Sequence, residues 1–276
     1  MLKVKITEVR VKNIVVKSNL PKASYVVNPY TGCQYGCVYC YADFMRRWTG
    51  HIDETWGQFV DVKVNAPDLI KENVGDYGDK DILFSSVTDP YQPIEAQYKL
   101  TRRLLEKLSK QNPQPTVGIL TKSTLVTRDI DILKRFGNCN VGFSFSTLND
   151  EVRRVLEPVT PPTARKINAL KVIHDADIET YVFISPIMPF LTDIGSIVVE
   201  LKPYANLFMF ENLNVRPSLW HRIRAALEKI DSNLVPKYED IYFTRWGKKE
   251  FWKPVEQEIL DLCARQHLEP QIFFHH

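Results

Sequence analysis

No apolar run in this sequence approaches the roughly 18–20 residues that a membrane-crossing helix needs. The opening Met1-Leu2-Lys3-Val4-Lys5 has no apolar stretch of the kind an export signal requires, so the expectation is a cytoplasmic protein without a membrane partner. An excess of one charge is also missing. Lys and Arg number 36 against 33 Asp and Glu, a net of +3. That is too little to indicate nucleic acid by itself, although a local basic patch stays open. No low-complexity tract or long Gly/Ser linker interrupts the chain, which argues against a second independent domain. Cysteine is sparse and odd in number: of five, Cys33, Cys37 and Cys40 are grouped, while Cys139 and Cys263 stand alone. An odd count in a reducing compartment speaks against a disulfide framework and for a metal or catalytic role of the group. What is present suits a folded α/β protein. At 276 residues, 44% hydrophobic and 25% charged, the chain can bury a substantial core and fits one large α/β barrel.

Short β-rich apolar runs recur at Asp81–Ser86, Thr116–Thr121, Asn140–Ser146, Glu179–Ile184 and Asn206–Phe210, separated by segments of helical period. Leu100, Leu104, Leu105 and Leu108 make one buried stripe; Ile194, Ile197, Val198 and Leu201 make another; Leu219, Ile223, Leu227 and Ile230 a third. Such alternation predicts βαβ units on a parallel sheet. With an earlier strand at Ser24–Asn28 there are six of them, which predicts a partial (β/α)6 TIM-like barrel. Residues 1–23 are expected to be a strand pair packed on it, residues 24–231 the barrel, and residues 232–276 a C-terminal extension related to substrate. Within that extension Ile241–Thr244 reads as a strand, Lys253–His267 as a helix and Gln271–Phe274 as a last strand.

The segment Asn28-Pro29-Tyr30-Thr31-Gly32-Cys33-Gln34-Tyr35-Gly36-Cys37-Val38-Tyr39-Cys40-Tyr41-Ala42 carries the chemistry. Its C-x3-C-x2-C spacing lets three thiolates curl round one site, with Gly32 and Gly36 freeing the backbone to do so. Structural zinc completes its tetrahedron with a fourth Cys or His, for which His51 is the nearest candidate. A [4Fe-4S] cluster with one open iron accounts better for three ligands.

C-x3-C-x2-C with an aromatic before the third cysteine, at the end of the first strand of a six-fold βα repeat, resembles the radical S-adenosylmethionine (SAM) superfamily. More narrowly, Asn28-Pro-Tyr-Thr-Gly-Cys, Thr88-Asp89-Pro90-Tyr91-Gln92-Pro93, Thr121-Lys122-Ser123 and Leu156-Glu157-Pro158 resemble the branch named for spore photoproduct lyase, often labelled DNA repair photolyases. The likeness spans about residues 25–190. It implies a [4Fe-4S] cluster on Cys33, Cys37 and Cys40 whose unique iron chelates SAM. It also implies reductive cleavage of SAM to methionine and a 5′-deoxyadenosyl radical, with an electron donor such as flavodoxin or ferredoxin. The SAM amino group is then expected near Ser85 and Thr88, its carboxylate at Lys122, its ribose or methionine part at Ser144 and Ser146, and its adenine by Tyr39. Tyr41 matches a tyrosine that the lyases keep beside the site, either to relay a radical or to pack. Ser86 stands where the lyases keep the cysteine that donates the terminating hydrogen atom, and a serine O–H is a far poorer donor, which puts the lyase reaction itself in question.

Cys139, Cys263 and His174 read as structural, and Glu157-Pro158 as the close of a helix. Arg245–Lys253 interleaves cations with aromatic rings, as a nucleic-acid contact requires, and equally suits a helix-capping turn with Trp246 and Trp252 in the core. The substrate is therefore open between nucleic acid and a peptide, protein side chain or small metabolite, with a non-enzymatic zinc or Fe-S protein as the remote alternative.

Overall fold

The computed structural model describes residues 4–21, 23–71, 77–78 and 80–275. Its strands are β1 (Lys5–Val9), β2 (Val15–Leu20), β3 (Ala23–Val27), β4 (Tyr30–Thr31), β5 (Phe59–Lys63), β6 (Asp81–Phe84), β7 (Thr116–Thr121), β8 (Cys139–Phe145), β9 (Glu179–Ile187), β10 (Leu207–Asn212) and β11 (Pro270–Phe273). The main sheet runs β11-β10-β9-β8-β7-β6-β3-β2. Every neighbouring pair in it is parallel except β2 with β3. It is a curled partial barrel of the TIM-like kind, with the six expected strands as its centre and β11 added as a further parallel strand.

The amphipathic stripes do what their spacing requires. Leu100, Leu104, Leu105 and Leu108 are buried along the helix Leu100–Leu108, as are Ile194, Ile197, Val198 and Leu201 along Ile194–Leu201. Each such side chain removed from water contributes about 1.5–3 kcal/mol before entropy is counted. In the helix Pro217–Ile230, Leu219, Ile223 and Leu227 are buried, while Ile230 only packs on the edge of the core.

Two expectations fail. The first two strands are not a pair: β2 extends the barrel sheet against β3, while β1 pairs with β5 in a separate sheet of order β1-β5-β4. Alternation of apolar residues specifies a strand but not its partner, and here β5 offers β1 a parallel edge beside the cysteine loop. Ile241–Thr244 is not a strand either, because its first residues belong to the helix Leu234–Phe243, whose Leu234, Val235, Tyr238 and Ile241 are buried at helical spacing. The later helix, Gly247–Arg265, and β11 stand close to where the sequence puts them.

Candidate active site

The cysteine loop leaves β3 at the carboxyl end of the barrel strands, and several elements grip it. Asn28 Oδ1 accepts the N–H groups of Ser86 (2.9 Å) and Val87 (3.2 Å), tying the end of β3 to the end of β6. Thr88 donates its hydroxyl to the Gly32 carbonyl (2.6 Å), and Gln92 Nε2 reaches the same carbonyl (3.2 Å) while Gln92 Oε1 accepts the Gln34 N–H (2.8 Å). From the far side of the barrel, Arg222 donates to the Cys37 carbonyl (2.9 Å) and pairs with Asp43 (3.2 Å). The Val38 N–H bonds the Leu156 carbonyl at 2.9 Å.

Gly32 has φ +82°, and a Cβ there would stand 2.4 Å from the Phe59 carbonyl oxygen, so the turn requires glycine. Phe59 in turn carries the ring of His51, stacked at 4.0 Å and 16°. Both nitrogens of that ring are taken, one by Asp61 (2.8 Å) and one by Glu54. Burial lowers the basicity of His51, but the bonds to Asp61 and Glu54 outweigh it and raise its pKa. His51 therefore buttresses the loop and is not free to be a fourth zinc ligand.

Cys33 and Cys37 are buried and Cys40 partly so, all three as free thiols. Burial is the main cause that pushes each thiol up, and the sulfurs act on one another: Cys40 on Cys33, and both on Cys37. Arg222 and Lys122 oppose that shift at Cys40, so cations already stand beside the thiols, as an anionic thiolate-bound cluster needs. Among the described residues no three His, Cys, Asp or Glu side chains converge as the ligands of a single metal ion would. Three thiols on one short loop, with Arg222 and Lys122 beside Cys40, are a donor set of the chemical kind that a thiolate-held cluster with one open iron would use.

Facing the loop is a buried polar network at the strand ends. Lys122 Nζ donates to Ser144 Oγ (2.7 Å) and lies 3.2 Å from Glu157 Oε1. Ser146 Oγ donates to the same Oε1 (2.7 Å), as does the Tyr39 hydroxyl, and Lys166 Nζ stands 3.7 Å from Oε2. Asp89 anchors the start of the network, accepting Thr121 Oγ1 (2.7 Å) and the Lys122 N–H (2.8 Å). Burial alone would raise the Glu157 carboxyl, yet Lys122 and Lys166 hold it well below the usual carboxylate range. Lys122 is conversely held above the usual lysine range, because Glu157 more than reverses the effect of burial. For Lys166 burial wins, and its pKa falls to about 8.

The candidate residues thus fall into two groups. Tyr39, Lys122 and Ser146 meet around one carboxylate, and Ser144 joins them through Lys122 while donating to the Ser185 carbonyl (3.0 Å). Ser85, Ser86, Thr88 and Tyr41 lie on the loop side: Ser85 Oγ bonds the Val27 carbonyl (3.4 Å), Ser86 Oγ accepts from Asn28 (3.2 Å), and Tyr41 donates to the Ser86 carbonyl. Thr88 commits its hydroxyl to the cysteine loop. The sequence reading missed Glu157, Gln92 and Arg222 as site residues. Glu157 does close the helix Asp150–Leu156 but sits wholly buried at the centre of the network, and only its place after the serines of β8 hinted at this. Arg222 comes from 185 residues beyond Cys37, and no local pattern signals it. At the rim, Ser185 bonds Glu211 (2.5 Å), which also meets His275 (3.1 Å). Cys139 begins β8 at the opposite end of the barrel, Cys263 is fully buried, and His174 packs edge-on to Tyr204.

The radical SAM superfamily model matches residues 27–195. An uncharacterized protein of Methanocaldococcus jannaschii is 39% identical over 266 residues, covering 96% of each chain. Among solved structures, spore photoproduct lyase complexed with dinucleoside spore photoproduct superposes with a TM-score of 0.71 at 16% identity, over 98% of this chain and 82% of the other. A variant of that lyase with bound AdoMet and the same dinucleoside gives 0.71 at 17%, with the same coverage.

Proposed function

The chain belongs to the radical SAM superfamily, and on that premise we propose that it is an enzyme that holds a [4Fe-4S] cluster on Cys33, Cys37 and Cys40 and cleaves SAM reductively. The observation that carries this reading is the meeting, at one end of the barrel, of a rigidly held three-cysteine loop and a buried cationic network that faces it. When bound, the cluster supplies one electron and SAM yields methionine and the 5′-deoxyadenosyl radical. Lys122 offers its ammonium to the SAM carboxylate, with Ser144 orienting it. Ser146 and the Tyr39 ring lie to the same side, for the ribose and adenine. Ser85 and the backbone beside Thr88 serve the amino end. Tyr41, 44% exposed, lies on the open side of the loop, where it meets substrate together with Ser86. Flavodoxin or ferredoxin is the fitting reductant.

The reaction beyond SAM cleavage is lyase-like at most. Ser86 lacks the S–H bond that the lyases use to end their reaction, which favours a peptide, protein or small metabolite over a DNA lesion. A specific observation keeps nucleic acid as the second reading. Arg245 lies over the Trp246 ring at 4.9 Å and that ring is 56% exposed, so a cation and a stacking face stand together on the extension 232–276.

Product analysis tests the enzyme assignment. Anaerobically reconstituted protein given SAM and a reductant should form 5′-deoxyadenosine and methionine. Alanine at Cys33, Cys37 or Cys40 should abolish both, and alanine at Cys139 or Cys263 should not. Full zinc occupancy without iron uptake, or a loaded cluster that leaves SAM intact, would overturn it.

A further inference from the structure

Glu157 has no exposed surface, and both of its oxygens are engaged. Oε1 accepts from Tyr39 and Ser146 and faces Lys122, while Oε2 accepts Thr160 Oγ1 at 3.1 Å and faces Lys166. A carboxylate so buried is costly unless paired, and this one has two cations beside it, Lys122 and Lys166, of which Lys122 keeps bonding capacity to spare. An ammonium carries three N–H bonds. On Lys122 one goes to Ser144 (2.7 Å) and one faces Glu157 (3.2 Å), and among the described residues no third acceptor is in reach.

We propose that Glu157 is the positioning residue of the SAM site: it fixes the Lys122 ammonium so that its remaining N–H points into the barrel mouth, and holds the Tyr39 ring and the Ser146 hydroxyl in register with it. The inference rests on the proposed role of Lys122 at the SAM carboxylate. It also explains the buried Lys166. When a ligand carboxylate draws on Lys122, Glu157 keeps Lys166 as counter-ion, 3.7 Å away, and stays ionised. Lys166 is itself steadied by the Ser144 carbonyl (3.3 Å) and the face of Phe145 (4.6 Å to the ring centroid). One carboxylate therefore couples β8, the fourth crossover and the cysteine loop to the cation that reads the ligand.

A double-mutant cycle on SAM affinity, measured by equilibrium dialysis with reconstituted protein, separates positioning from mere stabilisation. Lys122→Met and Glu157→Gln should each weaken SAM binding about ten- to a hundred-fold, the loss of one charge-assisted hydrogen bond. The double variant should bind far less weakly than the two single losses multiplied together, because Glu157 acts largely through Lys122 and only in lesser part through Tyr39 and Ser146. Losses that add in the double variant, or wild-type affinity in Glu157→Gln, overturn the proposal while leaving Lys122 as a SAM ligand. Wild-type affinity in Lys122→Met overturns both. If Glu157→Gln fails to load iron, Glu157→Asp goes through the same cycle, since it keeps the buried charge but withdraws it from Lys122 by one methylene.

Discussion

At residue scale, the loop that would hold the cluster depends on a few contacts with no slack. Gly32 combines a left-handed φ with a Cβ direction that runs into the backbone and ring of Phe59. The strain of that φ in an alanine is of order 1–3 kcal/mol, and the clash with backbone adds to it. Gly32→Ala should therefore lower the melting temperature and leave most chains unable to take up iron, whereas Gly137→Ala, where a Cβ meets nothing, should do neither. Iron uptake at the wild-type level in Gly32→Ala would show that the loop rebuilds itself. The need for glycine at position 32 was legible in the sequence, because a tight turn between closely spaced cysteines calls for a residue free to take a left-handed φ. Glu157 was not, since a Glu-Pro pair after a helix looks the same whether its carboxylate meets water or two lysine ammoniums.

At the scale of elements, periodicity found the helices and strands that face one core, and failed where local composition competes with packing. Ile241–Thr244 is rich in β-formers but continues the helical spacing of Tyr238, and that helix buries its stripe against the barrel end. Its neighbour Gly247–Arg265 splits the basic aromatic segment in two: Trp252 enters the core, while Arg245, Trp246 and Lys249 stay exposed. The packing reading holds for Trp252 and fails for Trp246, because the helix begins only at Gly247 and leaves that ring outside the core. If the exposed half grips a phosphate backbone, duplex affinity should fall with salt at a log–log slope of about −0.9 per phosphate neutralised. Replacing Arg245, Lys248, Lys249 and Lys253 together should then flatten the slope by about 0.9 for every phosphate that these cations neutralise. A slope that the replacement leaves unchanged would remove this face from any role in gripping nucleic acid.

For the whole molecule, the sheet stays open because β2 closes one edge antiparallel and β11 extends the other. Adding β11 parallel to β10 also returns the chain end to the mouth, where the His275 N–H bonds Asn212 Oδ1 at 2.7 Å. The six-fold alternation was legible, but which edge the last strand joins was not, because partner choice is a long-range matter that no local period encodes. The result is one end of a barrel with loops from residues 28–41, 85–92, 122–123, 157 and 211–222 gathered on it. The proposed function has a cluster and SAM meet there. Electron paramagnetic resonance of the reduced, reconstituted protein, recorded before and after SAM is added, tests this most directly. The expected result is a reduced [4Fe-4S] signal that requires Cys33, Cys37 and Cys40 and whose g values shift with SAM. A fully loaded cluster whose spectrum SAM leaves unchanged would contradict it.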